Sequence, residues 1–326
     1  MVIEDLFTLA NLTAAINKLP VVPTSLARFF QIKRQTTTAV IVDEKSGRLS
    51  LVPAADRRGP GAPVGTPARK TRTFSTIHLP TTGFVLAEDS QGMRDQGSEN
   101  QVKAVAEVAN DRLQDMKNNL IATREHLRIG AIMGKIYDAD GTTVLEDLFA
   151  AFGVEQVSVA MALNVNSTAV RTKLMQAKRA AEDAMGSSAL IRGWHCIASP
   201  GFMDGFTEHD KVKETYQGWS AAQDRNGADV RGAFNFAGIN FEEMNVTIGG
   251  VPFIPDGEAF LFPDAPGLMI DAIAPGNYNE TVNTLGQEYY AKAEAMKLGK
   301  GYDLEAQSNP LPLNLIPKSS IRLTAT

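Results

Sequence analysis

The stretch that decides the fold is residues 98–138, SENQVKAVAEVANDRLQDMKNNLIATREHLRIGAIMGKIYD. Ser98 and Gln101 have the spacing of a capping box, which favours a helix that begins here. Apolar residues then recur every three or four positions, at Val102, Val105, Ala109, Leu113, Met116, Leu120 and Leu127. The pattern predicts a single helix over 98–138, about 50–60 Å long at a rise of 1.5 Å per residue.

The charged residues of this stretch are expected on the solvent side of the helix. They are Lys103, Glu107, Asp111, Arg112, Asp115, Lys117, Arg124 and Glu125. Helices of globular proteins average about 11–12 residues, so a helix of this length indicates an elongated part of the fold. The alternative is a pair of helices that break near Gly130 or Gly134.

The region before the helix, residues 36–90, has the pattern of an extended arm. Thr36–Val42 is strand-like and precedes a turn at 45–47, after which Leu49, Leu51 and Val52 suggest a returning strand. Residues 53–72 are rich in proline and glycine and have too few apolar side chains to form a core. A two-stranded arm and a long surface loop between ordinary strands are both compatible with this pattern.

Basic residues are concentrated in this arm, at Arg57, Arg58, Arg69, Lys70 and Arg72. A nucleic-acid site would typically have aromatic residues among its basic ones, and none lies among these. The whole chain also has a net charge of -5. We therefore predict that these five residues contact carboxylates of a partner rather than phosphates.

The N-terminal residues 3–18 have helical spacing, with an apolar face that includes Leu6, Phe7, Leu12 and Ile16. Prolines follow at 20 and 23, so a short helix on a separate arm that contacts another subunit is one interpretation. A helix that packs on its own domain is the other. Acidic Glu4 and Asp5 replace the basic residues with which a signal peptide begins.

The rest of the chain has the pattern of further short strands and helices. A strand, an Asp-Gly turn and a returning strand are expected over 135–144, followed by a helix over 167–185 and a buried strand over 194–198. Further strands are expected over 234–254 and 259–263.

The sequence has no motif that indicates catalysis, and no catalytic, cofactor-binding or metal residue is predicted. The single cysteine, Cys196, follows His195, and a hydrolase that uses this pair is the enzymatic alternative. Adjacent residues of a strand point to opposite faces, which argues against such a pair. No run of eighteen apolar residues suggests a membrane span.

Several segments together resemble the family of the phage lambda major capsid protein, whose members adopt the HK97-like fold. They are Pro23-x-x-Leu26-x-x-Phe29-Phe30 with the strand 36–42, the arm at 53–72, the long helix at 98–138, Ala198-Ser199-Pro200-Gly201-Phe202-Met203, Phe253–Phe262 and Pro310–Asn314. The resemblance extends over nearly the whole chain and depends on the order and spacing of these segments. It implies an α+β fold in which the basic arm lies over a neighbouring subunit and the N-terminal arm reaches other subunits.

This resemblance implies a subunit divided into an N-terminal arm (1–35), an extended β-hairpin E-loop (36–90), a peripheral domain (91–164) with the spine helix 98–138, an axial domain (165–275) and a C-terminal return to the peripheral domain (276–326).

It also implies a major capsid protein that assembles into pentamers and hexamers of an icosahedral head around double-stranded DNA. The expected partners are other copies of the chain, a separate scaffolding protein and a portal protein, and whether a decoration protein binds is left open. Assembly is expected in the bacterial host cytoplasm. The alternatives are an encapsulin-like compartment shell and another structural virion protein.

Overall fold

A computed structural model describes residues 8–19, 25–45, 69–89, 101–186, 190–213, 215–217, 234–248 and 250–326, with the backbone alone for residues 44, 45, 69 and 101–105. The chain forms two compact units. The first comprises Met1–Val40, Thr73–Leu127 and Ile270–Pro312, and the second comprises Ile41–Arg72, Arg128–Met269 and Leu313–Thr326.

The α-helices of the described residues include α1 Leu9–Lys18, α2 Gln101–Met133, α3 Leu148–Phe152, α4 Val170–Met185 and α5 Pro200–Glu208. The strands are β1 Gln31–Arg34, β2 Ala39–Lys45, β3 Arg69–Ser75, β4 Leu79–Leu86, β5 Lys135–Tyr137, β6 Val144–Asp147, β7 Ser158–Ala160, β8 Gly193–Ala198, β9 Phe234–Phe236, β10 Ile239–Glu243, β11 Thr247–Ile248, β12 Val251–Pro252, β13 Glu258–Asp264, β14 Met269–Ile273, β15 Tyr290–Ala295, β16 Gly301–Ser308, β17 Pro310–Asn314 and β18 Ile321–Thr324. We call α2 the spine helix.

The first unit is built on a three-stranded antiparallel sheet of order β15–β16–β4. One face of this sheet forms a core with α1 and the spine helix, through buried residues that include Leu12, Ile16, Val85, Leu113 and Leu304. A second sheet has the order β1–β14–β17, in which β1 runs parallel to β14.

The second unit contains a six-stranded mixed sheet of order β7–β18–β13–β8–β10–β9. Helices α4 and α5 contribute Leu174, Phe202 and Phe206 to its core, together with Phe241 and Leu261 of the sheet. Ser199 accepts a hydrogen bond from the amide of Phe202 and so caps α5.

The prediction of one long helix is confirmed, because the spine helix runs unbroken for 33 residues through Gly130. The predicted C-terminal end at residue 138 is wrong. Gly134 has a φ of +89°, and a Cβ at this position would lie 2.2 Å from the ring of Phe149. The helix therefore ends at Met133 and the chain continues as β5. Residues 98–100, with the predicted cap, lie outside the described residues.

The arm predicted over 36–90 is shorter than expected, because β4 pairs along its whole length with β16 in its own unit. Val85 of this strand is buried in the core of the first unit. Strand β2 pairs with β3, and the predicted return strand at 49–52 lies outside the described residues. We call the pair β2 and β3 the ribbon.

The predicted domain boundaries stay a prediction. Residues 128–164 lie in the second unit together with most of the predicted axial segment. The C-terminal strand β18 lies between β7 and β13 of the six-stranded sheet, where Ile321 and Leu323 are fully buried. Among the described helices, none is both long and apolar enough to cross a membrane.

Candidate assembly surfaces

The ribbon is a two-stranded element in which each strand has one edge without a further strand in the described part of the chain. Its base is closed by a hydrogen bond of 2.9 Å from the amide of Thr76 to the carbonyl of Thr38. Farther out, the hydroxyl of Thr71 donates to Asp43 at 2.8 Å, and Ile41 is 66% exposed. An isolated hairpin is at best marginally stable in water, and an open strand edge can accept another chain.

Arg72 anchors the ribbon within the same subunit. Its guanidinium donates to the carbonyls of Ala151 and Phe152 at the end of α3 and lies 5.0 Å from the centre of the Phe152 ring. A cation at a helix C-terminus interacts favourably with the free carbonyls and the helix dipole. Arg72 therefore has partners within its own chain, and its contact with another subunit stays a prediction.

The other four basic residues of the arm remain predicted contacts. Lys70 is exposed on β3. Arg69 belongs to β3, but its side chain lies outside the described part, as do Arg57 and Arg58 altogether.

The N-terminal helix α1 packs on its own unit. Of the two interpretations of residues 3–18, this is the helix that packs on its own domain. Leu12 and Ile16 are buried in the core with the spine helix and β15. The prediction that they contact another subunit is corrected, because this core leaves no part of Ile16 exposed. Leu6 and Phe7 lie outside the described residues.

The spine helix carries a buried cation that the sequence interpretation missed. Arg124 is 2% exposed and donates to Asp271 at 2.9 Å, to Glu288 at 3.0 Å and to the hydroxyl of Tyr289 at 3.0 Å. Burial works against its charge, but the neighbouring acidic groups, Asp271 above all, hold the pKa of Arg124 above its ordinary value. This buried ion pair fixes the spine helix to β14 and to the segment before β15.

Two further polar residues of the spine helix hold the segment that follows α1. Lys117 donates to the carbonyl of Leu19 at 2.8 Å, and burial lowers the pKa of its ammonium group. Glu125 accepts a hydrogen bond of 3.1 Å from the amide of Leu26. The prediction that Lys117, Arg124 and Glu125 face solvent is wrong, because all three are buried.

The outer face of the sheet β15–β16–β4 forms a shallow groove of about 410 Å³. Cross-strand pairing places Glu294 beside Asp303 and Lys292 beside Glu305. Lys292 is bound to Glu280 at 2.7 Å, so the carboxylates give the groove a negative charge. Its residues are Thr82, Gly83, Tyr278, Lys292, Ala293, Glu294, Asp303, Leu304 and Glu305. Burial raises the pKa of Tyr278 to about 12, so this side chain stays a neutral hydroxyl.

The one cysteine offers no reactive thiol. Cys196 is fully buried in β8, and burial raises the pKa of its thiol far above the ordinary range. His195 stacks on Phe262 and lies 3.8 Å from Glu242. In the described part of the chain, no group of three or more acidic, histidine or cysteine side chains could hold a metal ion.

Comparison with known proteins identifies the family. The sequence model of the family described as phage major capsid protein E matches residues 8–325. The chain is 24% identical to the major capsid protein of Salmonella phage Felix O1, over 98% of this chain and 96% of that protein. It is also 24% identical to the major capsid protein of Pseudomonas phage KPP10, over 90% and 89% of the two chains.

The fold is also found in a solved structure. A capsid protein assigned to a prophage of Escherichia coli CFT073 superposes with a TM-score of 0.56 at 12% identity, over 98% of this chain and 99% of that one. The expectation of an α+β, HK97-like fold is confirmed. The family consists of structural capsid proteins and not of enzymes. The chain belongs to the phage major capsid protein E family.

Proposed function

We propose that this chain is the repeating subunit of a phage head, assembling into the pentamers and hexamers of an icosahedral shell around double-stranded DNA. The observation that carries the proposal is the ribbon. It is anchored to α3 by Arg72, and each of its two strands has one edge without a further strand in the described part of the chain. A shell gains stability from many modest contacts repeated by symmetry, and an open ribbon supplies such a contact in every copy.

The partner of the arm in this proposal is the acidic groove of a neighbouring copy. Arg57 and Arg58 lie in the segment between the two ribbon strands, and Asp303 and Glu305 lie in the groove. Opposite charges at a partly exposed contact add little energy each, but they fix the register and disfavour wrong pairings.

The mild acidity of the chain suits a wall around DNA. A net charge of -5 gives the wall no general affinity for a packaged polyanion. We further propose that assembly occurs in the cytoplasm of a bacterial host with a separate scaffolding protein and a portal protein, as the family resemblance implies. The curated relatives are phage capsid proteins, which favours a phage head over an encapsulin-like compartment.

The proposal is tested by imaging the chain produced together with its scaffolding protein. Closed icosahedral particles are expected by electron microscopy. Deletion of 53–68 is expected to leave a folded subunit that forms none. The deletion ends at residue 68 because Arg69–Arg72 belong to β3 and Arg72 anchors the ribbon to α3. If the deletion variant has the same free energy of unfolding as the wild type and still forms normal particles, the arm is not required for assembly.

The groove is tested by a charge exchange. Replacement of Arg57 and Arg58 by Glu is expected to abolish particles, and the added changes Asp303→Lys and Glu305→Lys are expected to restore them. Particles formed by the first variant alone would contradict the proposed contact. If the second pair of changes fails to restore them in a folded subunit, the groove is not the partner of the arm.

A further inference from the structure

In the described part of the chain, strand β15 is at the edge of its sheet, with β16 on one side only. In an antiparallel pair, alternate residues direct their amide and carbonyl to the neighbouring strand or away from it. The amide of Met296 donates to the carbonyl of Gly301 on the β16 side. Every second residue has the same backbone orientation, so the amides and carbonyls of Glu294 and Lys292 also point to β16. Those of Ala291 and Tyr289 therefore point outward.

Two side chains of α1 occupy these outward groups. The hydroxyl of Thr13 accepts a hydrogen bond of 3.2 Å from the amide of Ala291 and donates to the carbonyl of the same residue at 3.4 Å. The amide group of Asn17 donates to the carbonyl of Tyr289 at 2.8 Å and to the carbonyl of Thr13 at 2.8 Å. The helix thus supplies the bonds that a neighbouring strand would otherwise make.

The sequence of α1 is arranged for this position. Leu12 and Ile16 are four residues apart and bury their side chains in the core. Thr13 and Asn17, also four residues apart, follow one position later and lie along the strand edge. Thr13 is only 4% exposed, and its hydroxyl is bonded to Ala291.

We propose that α1 is an edge guard, which prevents β15 of one copy from pairing with a strand of another copy. An uncovered edge strand is a template for sheet extension between chains, and covering it with a helix is one way to prevent this. The risk of such pairing is greater for a protein that associates with many copies of itself, because each of two meeting copies would carry the same uncovered strand edge. The inference concerns the folded subunit and does not require the proposed shell.

The test removes the two hydrogen-bonding groups without enlarging either side chain. In the full chain carrying Thr13→Val and Asn17→Ala, the amide of Ala291 is expected to exchange with deuterium about tenfold faster, since its acceptor is lost. The purified variant, without scaffolding protein, is expected to form irregular, β-rich aggregates with increasing concentration. Light scattering, infrared spectroscopy and electron microscopy measure this association.

Matched variants separate the guard from general destabilisation. Thr13→Ser keeps the hydroxyl and is expected to behave as the wild type. Thr123→Val removes a hydroxyl that bonds only to Asn119 of its own helix, and Asn11→Ala changes an exposed position of α1. Neither is expected to aggregate. The inference is overturned if the double variant is folded yet shows unchanged exchange at Ala291, or if it aggregates no more than Thr123→Val.

Discussion

In the spine helix, the buried Arg124 reaches carboxylates 147 and 164 residues away in the sequence, and both lie in the same unit. In the ribbon, each strand pairs with the other and has no second neighbouring strand in the described part of the chain. The buried cation of the helix is paired inside the subunit, whereas each ribbon strand has an edge that we assign to another chain. The difference separates residues that determine subunit stability from residues that we assign to assembly.

The largest effect on stability is expected for Arg124→Ala. Removal of this cation breaks the buried ion pair with Asp271, and breaking such a pair typically costs about 3–5 kcal/mol. Denaturant unfolding of the unassembled subunit measures the change. Arg112→Ala, at an exposed position of the same helix, is the control and is expected to change the free energy of unfolding by less than about 0.5 kcal/mol. A loss below about 1 kcal/mol for Arg124→Ala would show that the ion pair does not fix the helix.

Gly130→Ala should also destabilise the subunit, although alanine is the better helix former by about 1 kcal/mol. A Cβ at residue 130 would lie 2.8 Å from the carbonyl oxygen of Lys135 and 2.9 Å from Cα of Ile136. These are backbone atoms that cannot move aside easily, so a net loss of about 1–3 kcal/mol is expected from thermal or denaturant unfolding.

Gly205→Ala in α5 is the matched control for that substitution. Its Cβ would make an ordinary contact of 3.7 Å with Leu163, so the helix preference should leave this variant as stable as the wild type or more stable. If both glycine variants are stabilised, close packing of the spine helix on β5 is not the reason for Gly130.

A smaller effect is expected for Arg72→Ala, in strand β3 of the ribbon. Loss of the bonds to the carbonyls of Ala151 and Phe152 should cost about 1–2 kcal/mol, since the side chain is half-buried and partly screened by water. Hydrogen exchange is expected to accelerate in β3. Lys70→Ala, two residues away and exposed, should leave exchange in β3 unchanged. If the amides of β3 exchange at the same rate in both variants, Arg72 does not anchor the ribbon.

The smallest effect concerns acid stability at the turn between β5 and β6. The side chain and amide of Thr143 and the amide of Thr142 donate to Asp140 and lower its pKa from the ordinary 3.8. A folded-state pKa below the unfolded value stabilises the protein above pH 3.8 and loses that contribution as the pH falls further. Thr143→Val should flatten this part of the profile of stability against pH, and Thr142→Val should alter it less. If the two variants show the same dependence of stability on pH, the bonds from Thr143 are not the main cause of the lowered pKa of Asp140.

The sequence predicted the spine helix because its apolar spacing is a local property. The same spacing could have placed Lys117 and Arg124 inside, since 113, 117, 120, 124 and 127 follow the three-and-four rhythm of one helix face. Their charge led instead to the prediction of a solvent-facing position. Their partners could not be predicted, because Leu19, Asp271 and Glu288 come close only in the folded chain.

The ribbon could be predicted only in part, because its strand pattern is local but its pairing is not. Strand-like residues around 36–42 are visible in the sequence, but the partner of β2 is β3, beyond a segment of more than twenty residues. The pairing of β4 with β16 and the contact of Arg72 with α3 depend on chain segments distant in the sequence. Composition alone therefore identified the basic arm and could not distinguish the anchoring arginine from the others.

The most direct test is a reconstruction of the assembled shell by electron cryomicroscopy at a resolution that traces the chain. The account predicts that residues 46–68 lie on a neighbouring subunit, with Arg57 and Arg58 beside carboxylates of that neighbour, while the spine helix keeps its bonds from Arg124 to Asp271 and Glu288. Density that places residues 46–68 against their own subunit throughout the shell would contradict it.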